Sequence, residues 1–347
     1  MKFFQKTASA ALIASLVLAG CASAQPVTPE NAPSDLLKKV AAISSESDGA
    51  EIEEVLHELV SQTGKANNYR LILDETVKDQ TLEENEGKLA ADPADYEVYD
   101  VRFAGDEHFY QVYEEQNETT STWGVMDSTP NEVTTVYVTP VNEDEMGAQD
   151  AKVIIDSING APGEKPSGDQ TVQTVVENSI IYPIYLQMGS TLLINPAQHP
   201  GDYSFELTKK GSTYEWIISM KDEESYNEIL DKTYQDAYGA SRIDVYEDSS
   251  FVLDSKDVKE VRIVITMDQD GTISRIENST KTTAVYQDQS LDLSSVNTLN
   301  IKAAPEHWKS FFEQFFEQIQ DEKLVPMDQV RLLPSKEDSS LSVEKAE

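Results

Sequence analysis

The sequence predicts an α+β protein built on a curved, half-barrel-like antiparallel β-sheet with several covering helices. Three observations predict this fold class. Short runs of alternating apolar residues follow one another between 96 and 158 without a helix-length segment between them, which favours hairpins over βαβ units. Residues 203–220 alternate on both sides of a turn at 209–212, which predicts a hairpin with one apolar face. Stripes with helical spacing stand at both ends of this strand-rich region.

The first of these helices is predicted before the sheet. Its apolar residues recur at i, i+3, i+4, i+7 and i+8, and they are Ile52, Val55, Leu56, Leu59 and Val60. This spacing places them on one face of a helix. Asp48 is suited to cap the start of the helix and Gly64 to end it.

Strands are predicted directly after this helix. Tyr69, Leu71, Leu73 and Val77 fall on one face of a strand, and Glu75 interrupts that face. The β-rich runs that follow are predicted at 96–103, 108–115, 119–127, 132–139 and 151–158. Residues 170–188 then favour a mostly buried helix.

The second half adds two helices and another hairpin. A helix is predicted to begin at Asp222 and to end at Gly239, and a hairpin runs through 261–267 and returns at Ile273. The last predicted helix begins at Pro305. Its stripe is strongly aromatic and consists of Trp308, Phe311, Phe312, Phe315, Phe316 and Ile319.

The N-terminus carries a targeting signal. Lys2 and Lys6 precede an apolar run over 8–18 that is too short to span a bilayer, which is typical of a secretory signal peptide. The residues Leu18-Ala19-Gly20-Cys21 that follow resemble the lipobox of bacterial lipoproteins. That resemblance implies cleavage before Cys21 and acylation of its sulfur. Cys21 is the single cysteine of the chain, so no disulfide partner competes for it.

These features predict the domain organisation. Residues 1–20 are a signal peptide, and residues 21–34, which contain three prolines, are a lipidated flexible tether. Residues 35–333 form the α+β body, with a sub-boundary or a long surface loop at 160–169. Residues 334–347 are a disordered acidic tail. We therefore expect a protein held on the extracytoplasmic face of the cell envelope by its lipid.

The composition limits the classes of partner. The chain has 347 residues and a formal charge of −36, and 39% of its residues are hydrophobic, enough for a folded core. Loss of Lys2 and Lys6 with the signal peptide makes the charge more negative still. Nucleic acid is excluded as a partner, because affinity for it depends on cationic side chains that neutralise phosphates. The membrane, reached through the lipid, is the predicted partner.

The order of elements over 35–320 resembles that of the lipoprotein-carrier and mycobacterial lipid-binding lipoproteins. The shared features are an opening helix, a string of antiparallel hairpins and further helices over one face. The resemblance implies a half-barrel that encloses an apolar groove beneath its helices, and hence an apolar small molecule or a lipid as ligand. It includes no family motif, so it assigns no binding residue.

Motifs for catalysis and metal binding are incomplete. His57 and Glu58 begin like a zinc-protease helix, but Ser61 stands where the second histidine belongs. The 268–271 segment is similar to a calcium loop, yet Thr266 occupies the first ligand position and the flanks alternate like strands, so a hairpin turn is favoured. No Gly-x-Ser-x-Gly elbow or phosphate-binding glycine loop occurs. We expect no metal and no cofactor.

The leading interpretation is a non-catalytic envelope lipoprotein that binds an apolar ligand or mediates envelope contacts. A secreted hydrolase with an unrecognised carboxylate or metal site is the alternative, and a solute-binding component of an importer is a third. A sealed core favours an interaction protein, an open apolar groove a lipid binder, and facing carboxylates an enzyme. The aromatic stripe is expected to pack in the core. The candidates for the wall of a groove are Trp308, Phe311, Phe312, Phe315 and Trp216.

Overall fold

The computed structural model describes residues 24–85, 88–105, 108–117, 121–128, 132–139, 152–159, 182–190, 192, 194–239 and 253–319. The predicted signal peptide, Cys21, the sub-boundary at 160–169 and the tail at 334–347 lie outside these residues. So does most of the helix predicted at 170–188.

The described residues form one large antiparallel sheet with helices packed on it, as predicted. Its 12 strands run in the order β1-β10-β11-β12-β13-β14-β2-β5-β6-β7-β8-β9, and β3 pairs with β4 in a separate hairpin. The strands are β1 (Gln25–Pro26), β2 (Arg70–Lys78), β3 (Gln80–Asn85), β4 (Lys88–Pro93), β5 (Tyr96–Ala104), β6 (Phe109–Asn117), β7 (Ser121–Ser128), β8 (Glu132–Thr139), β9 (Lys152–Asn159), β10 (Tyr203–Lys210), β11 (Thr213–Met220), β12 (Ser255–Met267), β13 (Ile273–Tyr286) and β14 (Gln289–Ala303).

The five strands predicted between 96 and 158 are present as β5 to β9, with ends displaced by no more than two residues. The sequence did not indicate the β3–β4 hairpin or β14, and it predicted only the apolar ends of β12 and β13. The missed parts of β13 and β14 are rich in Ser, Thr and Asn, whereas β3, β4 and the first residues of β12 carry several charged side chains, so these stretches do not show a clear apolar alternation. They are strands because each pairs with a neighbour along most of its length.

The helices are α1 (Asp35–Ala42), α2 (Gly49–Ala66), α3 (Glu223–Tyr238) and α4 (His307–Ile319). The predicted caps Asp48, Asp222 and Gly239 stand where expected. The predicted end of α2 at Gly64 is wrong: Gly64 is buried within the helix, and the chain turns only at Asn68 and Tyr69, which have positive φ. Within the part of the chain that the structure describes, no helix is both long enough and apolar enough to span a membrane.

Helices α1 and α2 cover one side of the sheet, which we call the inner face. The apolar stripe of α2 is buried, with Leu59 0% exposed. Thr63 on the same helix accepts a hydrogen bond from the backbone N–H of Ile273, at the start of β13 (2.9 Å). Gly271, with φ +85°, lies so close to Leu36 that an added Cβ would come within 2.7 Å of Leu36 Cδ2. The β12–β13 turn is therefore fixed against both helices.

Helix α4 packs on the opposite side, the outer face. Phe103 and Tyr110 are paired across β5 and β6, and both point to this face. Phe312 stacks on Tyr110 with ring centroids 5.0 Å apart, and Arg70 lies over the Phe103 ring at 4.4 Å. At β5 and β6 the outer face is thus covered by α4, while the buried apolar residues of β10 to β13 lie mainly on the inner face.

The predicted flexible tether is ordered where the structure describes it. Gln25 and Pro26 pair with Lys209 and Thr208 at the edge of the sheet, and Val27 N donates to Leu207 O (2.8 Å). Ala32 is buried, with 8% exposed. The prolines of this segment therefore do not make it flexible, because backbone hydrogen bonds to β10 fix it. Only residues 21–23 of the predicted tether lie outside the described residues.

Candidate functional site

The residues predicted to line a groove do not come together. Trp308, Phe311 and Phe312 are 2%, 3% and 0% exposed and pack on the outer face, so these three residues of the aromatic stripe lie in the core, as predicted. Trp216 is 0% exposed and lies on the inner face. The prediction of one groove lined by both is therefore wrong, because Trp216 lies on the inner face of β11 whereas Trp308 belongs to α4, which packs on the outer face. Cys21 and the side chain of Phe315 lie outside the described residues.

A row of residues across the inner face changes from apolar to partly acidic at β2. Directly paired residues on adjacent strands share a face, and the row runs through Trp216, Ile265, Ile276, Leu299, Glu75, Val98 and Glu115. The first four members are apolar and buried. Beyond Leu299 the row continues with the carboxylates Glu75 and Glu115, with Val98 between them.

The 182–190 segment covers this boundary. It begins as a helix at 182–185 and continues as a π-turn over Leu186–Ser190. Ile184 and Met188 are buried, and Tyr185 stacks on His57 of α2 with ring centroids 4.8 Å apart. Gly189 has φ +91°, and an added Cβ would lie 2.5 Å from Ile263 Cδ1, so glycine is required. These contacts fix the segment over the inner face.

A cavity of about 250 Å³ lies between this segment and strands β2, β5 and β14. We call it the Glu75 pocket. Its apolar walls are formed by Leu73, Val98, Pro183, Leu186 and Leu299. Its polar groups are Glu75, Asp100, Arg102 and Gln187. Apolar walls with a few converging polar groups are the usual composition of a small-molecule site.

Both carboxylate oxygens of Asp100 accept hydrogen bonds from neighbouring side chains. Arg102 Nε and Nη2 donate to Asp100 Oδ2 at 2.8 and 2.6 Å, and Gln111 Nε2 donates to both carboxylate oxygens at 3.1 and 2.9 Å. The Asp100 and Arg102 side chains are only 10% and 11% exposed. Alternation along β5 brings both onto the inner face, two residues apart. This pair is therefore a charge-neutral, geometrically fixed part of the wall.

Glu75 is held differently. Its Oε1 accepts hydrogen bonds from Gln187 Nε2 (2.9 Å) and Asn297 Nδ2 (2.6 Å), and Oε2 has no hydrogen-bond partner among the described residues. Burial raises the pKa of Glu75, the two amide hydrogen bonds lower it, and the charges of Asp100 and Glu115 raise it; the net shift is upward. Glu75 thus presents a carboxylate oxygen to the pocket without a cation to neutralise it.

A second cavity, of about 520 Å³, lies between the β3–β4 hairpin and the long strands β12 to β14. We call it the hairpin groove. Leu82, Leu253 and Leu293 line it together with Ser and Thr side chains of β13 and β14. Gln80 Oε1 accepts from Ser294 N (2.9 Å) and helps to fix the hairpin over the strands. Its polar lining is mainly hydroxyl groups, in contrast to the carboxylates of the Glu75 pocket.

The motifs that resembled metal sites have other roles. His57 is exposed and stacks on Tyr185. The Asp268 turn joins β12 and β13, as the alternation predicted, and Asp268 Oδ1 accepts from the N–H groups of Asp270 and Thr272, both at 2.9 Å. Among the described residues, no three His, Cys, Asp or Glu side chains are grouped to hold a metal ion.

Sequence reasoning did not identify the pocket residues. The one available signal was Glu75 itself, a carboxylate on the apolar face of a predicted strand. Gln187 and Asn297 reach it from positions 112 and 222 residues away. Asp100 and Arg102 lie on the face of β5 opposite the buried Val101 and Phe103, so the apolar residues of this strand did not mark them as site residues.

No protein-family model and no curated protein matches the chain. Among solved structures, it is similar to a DUF1329 family protein from Desulfovibrio piger, with 8% identity, 78% of this chain and 99% of that chain covered, and a TM-score of 0.23. The ywiB protein from Bacillus subtilis is 7% identical, with 68% of this chain and 94% of that chain covered and a TM-score of 0.14. A beta-barrel-like protein with the DUF1849 domain of unknown function from Brucella abortus is 11% identical, with 68% of this chain and 99% of that chain covered and a TM-score of 0.19. All three TM-scores are too low to support an argument about this chain. The resemblance to the lipoprotein-carrier family stays a prediction beyond the curved antiparallel sheet itself.

Proposed function

We propose that this chain is a lipid-anchored, non-catalytic protein of the cell envelope that binds an amphiphilic ligand in the Glu75 pocket. The observation that carries the proposal is the composition of that pocket. Leucines of β2, β14 and the 182–190 segment line it together with the charged side chains of Glu75 and Arg102. An amphiphile can place its apolar part against the leucines and its polar group against a charged side chain.

The alternative, a hydrolase that uses paired carboxylates, rests on the presence of Glu75 and Asp100 in one pocket. General acid–base catalysis requires both groups to be available for proton transfer. Asp100 accepts hydrogen bonds from Arg102 and Gln111 on both oxygens, so Glu75 is the one carboxylate of the pocket with an oxygen to offer. No histidine lines the pocket. Binding is therefore favoured over hydrolysis.

The anchoring part of the proposal rests on Cys21. The pairing of Gln25 with Lys209 leaves four residue steps between Cys21 and the sheet edge, a reach of at most about 14 Å. β1 is antiparallel to β10, so Gln25 is the residue of β1 that lies nearer the β10–β11 turn. A lipid on Cys21 would thus hold this end of the sheet close to the membrane surface.

Native mass spectrometry of the full chain, extracted from membranes in mild detergent, tests the binding function. We expect a bound amphiphile whose mass is lost when Leu186→Trp fills the Glu75 pocket. Leu82→Trp is the matched control, because it adds the same bulk to the hairpin groove. Loss of the ligand only in Leu82→Trp would move the site to the groove. A protein without any bound amphiphile would contradict the proposed function.

A further inference from the structure

We propose that the ligand of the Glu75 pocket carries an ammonium group, and that Glu75 is its counter-ion. This inference rests on the proposed binding function and names the chemical class of the ligand. The apolar part of that ligand would lie against Leu73, Leu186 and Leu299, and its cationic nitrogen against Glu75 Oε2.

Glu75 has no positively charged partner among the described residues. Carboxylates removed from water are normally paired with a cation. No Lys, Arg or His of the described chain forms an ion pair with Glu75, and the one cation that lines the pocket, Arg102, donates through Nε and Nη2 to Asp100. Glu75 is held instead by two uncharged amides. The pocket therefore has an unneutralised negative charge beside apolar walls.

The orientation of Asn297 also points to Glu75. Its Nδ2 donates to Glu75 Oε1, while its own Oδ1 is buried without a hydrogen-bond partner in the described structure. A buried acceptor without a partner costs about 1–3 kcal/mol. The side-chain amide of Asn297 therefore gives a hydrogen bond to Glu75, while its own Oδ1 receives none from the described residues. This arrangement fits a carboxylate that serves as an acceptor for a donor in the pocket.

The electrostatic environment of Glu75 also favours a cationic ligand. Asp100 and Glu115 both add negative potential at Glu75, and the whole chain has a formal charge of −36. Anionic ligands such as fatty acids are repelled, whereas cations are attracted and their association is accelerated. A neutral alcohol can donate one hydrogen bond to Glu75, but it leaves the charge unpaired. An ammonium group both donates a hydrogen bond to Glu75 and neutralises its charge.

The size of the pocket limits the rest of the ligand. An engineered cavity of about 150 Å³ holds benzene, so a cavity of about 250 Å³ accommodates a somewhat larger aliphatic chain. n-Hexylammonium is a suitable probe, and n-hexanol and hexanoate are its neutral and anionic counterparts with the same chain length.

The experiment compares these three probes on the lipidated full chain in nanodiscs, by ligand-observed NMR titration, with empty nanodiscs titrated in parallel. We expect n-hexylammonium to bind at least tenfold more tightly than n-hexanol, and hexanoate to bind least. Glu75→Gln should abolish this preference, so that n-hexylammonium binds no more tightly than n-hexanol. Asp74→Asn is the matched control: it removes one carboxylate from the adjacent position, which points to the outer face, and should retain the preference.

Equal binding of n-hexylammonium and n-hexanol, or preferred binding of hexanoate, would overturn the ammonium inference while leaving a binding pocket. An ammonium preference that survives Glu75→Gln would also overturn it, because the cation would then be recognised elsewhere. If none of the probes binds, the inference fails. The mass spectrometry with Leu186→Trp then decides separately whether the proposed binding function stands.

Discussion

Replacing Phe312 by Ala should destabilise the protein strongly, because this ring joins α4 to the outer face. Phe312 is 0% exposed and stacks on Tyr110 at 5.0 Å with an interplanar angle of 7°. It also lies 6.5 Å from the Phe103 ring and 5.9 Å from Trp308. Burial of the Tyr110 phenol, together with the charges of Asp127 and Glu313, raises its pKa to about 12. The ring therefore occupies the centre of an aromatic cluster that spans the helix and the sheet.

The magnitude follows from the surroundings. Truncation of a buried Phe to Ala typically costs 3–5 kcal/mol, and stacked aromatic pairs contribute about 0.5–1.5 kcal/mol beyond their buried area. The neighbours of Phe312 are rigid rings on a strand pair and on one helix, so the cavity cannot collapse easily. We expect a loss of about 4 kcal/mol in the free energy of unfolding. Phe312→Leu keeps most of the volume and should cost less than about 1.5 kcal/mol.

Urea denaturation followed by tryptophan fluorescence measures this loss, and Trp308, next to the substituted ring, reports on the cluster directly. Glu313→Ala on the exposed side of α4 is a control and should change stability by less than about 0.5 kcal/mol. A Phe312→Ala variant within about 1 kcal/mol of wild type, with unchanged Trp308 emission, would refute the assignment of this helix to the core.

Three further predictions concern the anchor, calcium and pH. Cys21→Ser should yield a chain without lipid that no longer fractionates with membranes, and wild-type partitioning of this variant would contradict the lipoprotein assignment. Thermal melts in millimolar calcium and in chelator at matched ionic strength should superimpose, because Asp268 already accepts two backbone hydrogen bonds in a hairpin turn; a calcium-specific rise that Asp270→Ala abolishes would reveal a site. The pKa of Glu75 is higher in the folded protein than in the unfolded chain. Protonation of Glu75 therefore stabilises the fold at low pH. This stabilisation is lost as the pH rises from about 4.5 through the raised pKa. Glu75→Gln should therefore be more stable than wild type at pH 7.5 and show a flatter dependence of stability on pH over this range, whereas an unchanged dependence in chemical denaturation would contradict a raised pKa.

The sequence by itself determined the features that depend on local physics. Asp48 and Asp222 accept hydrogen bonds from N–H groups of the first turn, and Gly239 adopts the left-handed conformation that ends α3. Alternation located β5 to β9 and the β10–β11 hairpin within two residues, because side chains on a strand point to opposite faces in turn. Helical spacing likewise located the aromatic stripe of α4. Each of these signals lies within a few neighbouring residues.

The tertiary structure alone decided the site. Glu75 meets Asn297 because β2 pairs with β14, and it meets Gln187 because the 182–190 segment is fixed by Tyr185 and Gly189. Which face a strand residue joins depends on pairing across the whole sheet, and a shift of one residue would reverse it. Trp216 and Trp308, both predicted beside one groove, lie on opposite faces because the register of β11 places Trp216 on the inner face and α4 packs Trp308 on the outer face. Pairings between residues more than 100 positions apart are set by packing that no local pattern encodes.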